Sequence, residues 1–160
     1  MPPPSWEGET VDVLAAEPAA GDPTYDAFIS YSHTADRRLA PALRDGLHHF
    51  AKPWYRRRNM RVFQDSSNLE SSPDLWATIQ AALRGARAFI LLASESSARS
   101  QWVGREVQTW RLASRQADGS LRPDRPILIV LTDGEIAWDH AAGDFDWTRT
   151  TALPLSLIHI

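Results

Sequence analysis

Apolar positions recur along this chain in two rhythms, and the switch between them marks the elements. Residues 25–31 carry Ala27, Phe28 and Ile29 at their centre, which predicts a first strand. A polar turn made of Ser32, His33, Thr34, Ala35 and Asp36 follows and can cap the next element. Leu39, Leu43, Leu47 and Phe50 then return at helical spacing and predict a helix over 38–50. Pro41 is tolerated only near the first turn, which places the helix start close to it, and Lys52 and Pro53 end the helix. A short second strand is expected over 60–63 and a third over 86–93, the latter apolar on both faces. Between them Leu75, Ile79, Ala82 and Leu83 predict a helix over 74–84, opened by Pro73 and ended by Gly85. A serine-rich turn over 94–97 leads to another helix that runs to about Ser114. A polar connector over 115–125 precedes a fourth strand over 126–131, expected to be buried on both faces and closed by a turn at Thr132, Asp133 and Gly134. Beyond Glu135 regular signals fade, and Trp138 and Trp147 are expected to cover apolar surface.

Strands that alternate with helices predict an α/β domain, an open parallel sheet with helices on both faces. In such folds a ligand site lies beyond the carboxyl ends of the strands. Three stretches converge there: the turn at Tyr31, Ser32 and His33, the ten-residue polar loop 64–73, and the segment 94–106. In the last of these, Trp102, Glu106 and Trp110 are four residues apart and share a helix face beside Val103 and Val107. A carboxylate between two indoles at the edge of a core face is partly desolvated, and its charge is felt strongly by anything bound beside it.

Composition narrows the function classes. The net charge of −3 gives no general attraction to nucleic acid or acidic membranes. The absence of cysteine removes disulfides, thiolate metal sites and a cysteine nucleophile, and fits a cytoplasmic protein. The longest apolar run, 127–131, is far short of the roughly 20 residues a membrane span needs. The opening has neither the basic nor the apolar region of a secretory leader. His48 and His49 are adjacent and point apart, so no metal site is expected from them. Trp54, Tyr55, Arg56, Arg57 and Arg58 make a basic connector, read either as a solvated loop over a core edge or as a local phosphate site. Neither a GxGxxG nor a P-loop motif is present, and the acidic clusters of a receiver domain are missing from the strand ends. The chain divides into a polar, disordered lead-in over 1–24, a domain over 25–150, and a tail over 151–160 that reads as truncated or foreign to the gene product, with the natural chain continuing beyond.

The segment 25–32, Arg61 to Asp65 with the following Leu69, Leu75 and Ile79, and the spacing of Ser100, Trp102 and Glu106 together resemble the boxes of a TIR (Toll/interleukin-1 receptor) domain, in order over 25–131. The stretch 50–56 resembles actinobacterial-type members, in which the TIR module commonly precedes a second region. Two departures are visible. Ser71 and Ser72 stand where many members carry a glycine in the BB loop, and Val103 stands where cysteine is frequent.

The resemblance implies a flavodoxin-like sheet of order 2-1-3-4-5, whose fifth strand is expected beyond this chain. It also implies cleavage of NAD+ at the nicotinamide–ribose bond, with NAD+ as substrate and no cofactor. Glu106 is then the catalytic carboxylate and Trp102 an aromatic wall. Tyr31, Ser32, His33, Phe63 and Asp65 are candidates to line the pocket, each with turn capping or core packing as the alternative. Ser66, Ser67, Asn68, Leu69 and Glu70 fall in the BB loop, through which family members self-associate by TIR–TIR contacts. The family also contains non-catalytic adaptors, in which the same residues are structural.

Overall fold

The computed structural model describes residues 24–50, 61–64 and 73–158. The lead-in (apart from Thr24), the basic connector and the loop from Asp65 to Ser72 lie outside the described residues.

The strands are β1 (Tyr25–Ser30), β2 (Val62–Gln64), β3 (Ala86–Ala93) and β4 (Ile127–Leu131), all parallel, in the order β2-β1-β3-β4. The helices are α1 (Leu39–Phe50), α2 (Pro73–Gly85), α3 (Glu95–Arg99) and α4 (Gln101–Ala113). This is the α/β architecture expected, in the first four positions of the expected order. Strand alternation divides the interior. Phe28, Phe89 and Leu91 face α2 and α4, where Ile79, Leu83, Val103, Val107 and Trp110 complete one core. Ala27, Ile29, Ile90 and Leu92 face the other way, toward Ala40, Leu43 and Leu47 of α1.

Several expectations are corrected. Leu39 is 43 % exposed. The inward stripe of α1 is Ala40, Leu43 and Leu47, and Leu39 is rotated from it by about 100°. The serine-rich turn is a short helix, α3, because Ser94 and Ser97 form a reciprocal capping box: the Ser97 N–H donates to Ser94 Oγ at 3.0 Å and the Ser94 N–H to Ser97 Oγ at 2.8 Å. β4 is covered on one face only. Ile127 and Ile129 pack on the α2/α4 core, whereas Leu128 is 49 % and Val130 39 % exposed on the opposite face, since among the described residues no helix lies over that side of β4. Where regular signals faded, a small antiparallel pair forms, β5 (Trp138–Asp139) with β6 (Asp144–Phe145), followed by a 3-10 turn at Leu155–Leu157. Trp147 packs against the core as expected, but Trp138 is half exposed. Of the segment 151–160, Ala152, Leu153 and Leu157 are buried in the α2/α4 core, and Arg111 holds the Ser156 and Ile158 carbonyls at 2.6 and 2.9 Å.

Two glycines are needed for space. Gly85 joins α2 directly to β3, and a Cβ there would lie 2.9 Å from Thr24 Oγ1. Gly134 turns the chain after β4 at a φ of +83°, with Thr151 Oγ1 and Glu95 Cγ 2.9 and 3.0 Å from where a Cβ would be.

The connector before β4 carries a structural cation. Arg125 donates to the carbonyls of Ala113 (2.9 Å), Leu83 (2.6 Å) and Ala86 (3.3 Å), and its guanidinium lies 4.0 Å from the Trp110 ring centre. It therefore satisfies carbonyls at the ends of α2 and α4 that helix geometry leaves open. Removing it strands those carbonyls and uncovers the indole. Arg125→Ala is expected to cost about 2–4 kcal/mol, measured by denaturant unfolding. Arg125→Lys should recover less than half, because an ammonium has no planar fork to reach separate carbonyls.

Candidate functional site

A cleft of about 550 Å³ opens at the carboxyl ends of β1 and β3. One wall is the chain leaving β1, with Tyr31, Ser32, His33 and Thr34. The opposite wall is built from α3 and the start of α4, with Ser96, Arg99, Ser100 and Trp102. Local chemistry sets both walls. Tyr31 is drawn into the α1 core, its hydroxyl accepts from Gln64 Nε2 at 3.0 Å, and its ring stacks on His33 at 4.7 Å. Ser100 ends α3 and caps α4, its Oγ accepting from the Val103 N–H at 3.3 Å, so α4 starts at the rim of the cleft.

Trp102 stands on the first turn of α4. Its ring meets Trp76 of α2 edge-on at 5.3 Å, and the Arg105 guanidinium lies 4.1 Å from the Trp76 centre and 5.7 Å from that of Trp102. The indole is thus held by an aromatic and a cation while also lining the cleft.

One turn further, Glu106 lies on the buried stripe formed with Val103, Val107 and Trp110. It is 1 % exposed and does not itself line the cleft. Its Oε2 accepts a hydrogen bond from the Ser30 hydroxyl at the end of β1. The carboxylate is therefore more deeply buried than its sequence context indicated, and it bridges α4 to the central sheet. A charge in such surroundings is weakly screened.

The structure brings Tyr31, Ser32, His33 and Trp102 to one cleft, with Glu106 one helical turn inward from Trp102. Phe63 is not among them. It stacks on Phe28 at 5.2 Å and meets Tyr25 edge-on at 5.3 Å, the core-packing alternative for this residue. Asp65 and the BB-loop residues Ser66, Ser67, Asn68, Leu69 and Glu70 lie outside the described residues.

Two polar residues at the site escaped the sequence reading. Ser30 was absorbed into a strand, although strand alternation puts it on the same face as Phe28, where a buried hydroxyl needs a partner. Asp36 was read only as part of a polar turn able to cap the next helix, yet it is buried. Its N–H donates to the Ser32 carbonyl at 2.9 Å, and its own carbonyl accepts from Ala40, joining the cleft wall to α1. Burial pushes the Asp36 carboxyl above its ordinary value, the hydroxyls of Thr132 and Ser94 oppose that, and Asp133 adds a smaller upward push.

Comparison with known proteins places these features in a family. A family model described as TIR domain matches residues 27–153. A curated relative, NAD(+) hydrolase ApTIR of Actinoplanes sp., is 46 % identical over 133 residues. That match covers 83 % of this chain and 17 % of the relative, so the chain spans about a sixth of the relative's length. Among solved structures, the TIR domains of the activated Roq1 resistosome that recognises the effector XopQ match with a TM-score of 0.48 and 17 % identity, over 70 % of this chain and 58 % of that one.

The raised Asp36 carboxyl has a signed consequence. Its folded pKa exceeds its unfolded value, so its contribution to stability is fully present below the unfolded value, 3.8, and is lost as pH rises through the folded value. Asp36→Asn keeps the neutral form at every pH. Relative to the parent, the variant should therefore gain stability between acid and neutral pH, read as denaturant midpoints at both. A difference independent of pH would contradict the assignment.

Proposed function

The chain belongs to the TIR-domain family, and we propose that it acts as an NAD+ glycohydrolase, releasing nicotinamide and ADP-ribose or its cyclic isomer in signalling or defence. The observation that carries this reading is Glu106: a carboxylate buried on the core stripe of α4, one turn from an indole that lines a cleft at the strand ends. Packing alone gives no reason for it. Taking a carboxylate out of water is costly, and an apolar side chain would fill the same place more cheaply. The identity to a protein named an NAD(+) hydrolase supports the same reading.

The chemistry suits these groups. Nicotinamide in NAD+ is a cationic pyridinium. When the bond from its nitrogen to ribose C1′ breaks, the electron pair goes to nitrogen and the base leaves neutral, without a strong general acid. Positive charge develops on the ribose, and the Glu106 carboxylate stabilises it and holds a ribose hydroxyl. Water then adds to C1′ and releases a proton, or a nucleophile on the adenine closes the cyclic product. Trp102 supplies an aromatic wall for the cationic ring, and Tyr31, Ser32 and His33 line the approach. Asp65 is a further candidate to line the pocket, and self-association through the BB-loop residues Ser66 to Glu70 would complete the site from a second copy.

One observation favours a second reading. Glu106 is covered and lies outside the lining of the cleft, which suits a non-catalytic adaptor that works through TIR–TIR contacts. The two readings diverge in a direct assay. The glycohydrolase releases nicotinamide from NAD+, and Glu106→Ala lowers that rate by at least about 100-fold. Undiminished turnover in the variant would rule out the assigned role. Specific activity is also expected to rise with protein concentration as copies assemble, and a constant value would count against assembly.

A further inference from the structure

We propose that Ser30 is a positioning residue for Glu106, a role that rests on reading Glu106 as the catalytic carboxylate. Ser30 ends β1, is fully buried, and shares a face with Phe28, so its hydroxyl is directed into the α2/α4 core. There it donates to Glu106 Oε2. β1 is paired on both sides, to β2 and β3, so this hydroxyl is mounted on one of the most constrained stretches of the fold. Glu106 itself sits at the end of three rotatable bonds on a helix. A donor fixed to the sheet removes that freedom.

The bond also acts on charge. Burial beside Val103, Val107 and Trp110 favours the neutral acid, which cannot stabilise a developing cation. A hydroxyl that donates to the anion favours the ionised form. Among the described residues, Arg105 lies over Trp76 and Trp102, Arg111 on the Ser156 and Ile158 carbonyls, and Arg125 over Trp110. On α3, Glu95 and Arg99 pair with each other, and on α2 the charged groups, Asp74 and Arg84, stand in the first and last turns. Ser30 thus anchors Glu106 to the sheet and favours its anionic form.

The test compares Ser30→Ala with Ser30→Thr, which restores a hydroxyl, in the whole 160-residue chain. Ser30→Ala should lower kcat about 10- to 100-fold, the scale of a misplaced catalytic group, while KM stays within about 2-fold. Ser30→Thr should recover most of the loss. Independently of activity, a carbon-13 NMR titration of the Glu106 carboxyl should move its midpoint upward by about one pH unit in Ser30→Ala. If Ser30→Ala does not fold, Ser30→Cys, close in size but a weak donor, carries both comparisons. An unchanged kcat, or a loss without rescue and without movement of the Glu106 midpoint, would make Ser30 a packing residue only. If the parent chain does not cleave NAD+, the glycohydrolase reading fails, and the titration still decides whether Ser30 controls the charge of Glu106.

Discussion

The guanidinium of Arg125 is where the layers of this domain meet. It reaches the last carbonyls of α2 and α4, the first of β3, and the face of Trp110. Burial lowers its pKa, so its environment is one a charge enters only with compensation. Three carbonyls and an indole supply that. The consequence reaches beyond stability, because the axis of α4 fixed at this end determines where its opposite end lies. Trp102, Ser100 and the α3–α4 junction stand at that opposite end, on the rim of the cleft.

The helix fixed at that end carries a buried carboxyl group of its own. Glu106 is placed by the apolar stripe around it: Val103, Val107 and Trp110 pull that face of α4 onto the sheet, and the carboxylate goes with them. Ser30 meets it from the sheet side. Site and core are therefore a single packing problem here. The cleft is formed by the turns that leave the strands, while the charged group lies inside the layer those strands build. Near the turn after β1, Asp36 adds another buried carboxyl, so polar groups gather at the strand ends in an otherwise apolar interior.

Much of this was legible in residue order. The apolar centres of β1 and β3 and the stripes of α2 and α4 announced an alternating α/β domain, because burial periodicity is a local property of the chain. The three TIR-like boxes located Trp102 and Glu106 and the turn from Tyr31 to His33. Legibility ended where a partner distant in sequence decides the outcome. Ser30 and Glu106 are 76 residues apart, and nothing local to either names the other. Arg125 looked like one more polar residue of a connector, and its acceptors are 12 to 42 residues away. The TIR resemblance made Phe63 a candidate for the pocket, with core packing as the alternative, and Phe28 and Tyr25 hold its ring.

By itself, the sequence determined the four strands of the parallel sheet, the helical layers of α1, α2 and α4, and the placing of the Trp102 and Glu106 pair on α4, since these follow from spacing along one segment. Tertiary structure alone decided which polar groups are buried together. It drew Glu106 inward from the cleft to the Ser30 hydroxyl, took Asp36 out of solvent, and left Leu128 and Val130 of β4 uncovered. The reason is physical. Periodicity tells a side chain which way to face, whereas desolvation and hydrogen bonding depend on what the rest of the chain brings to that face.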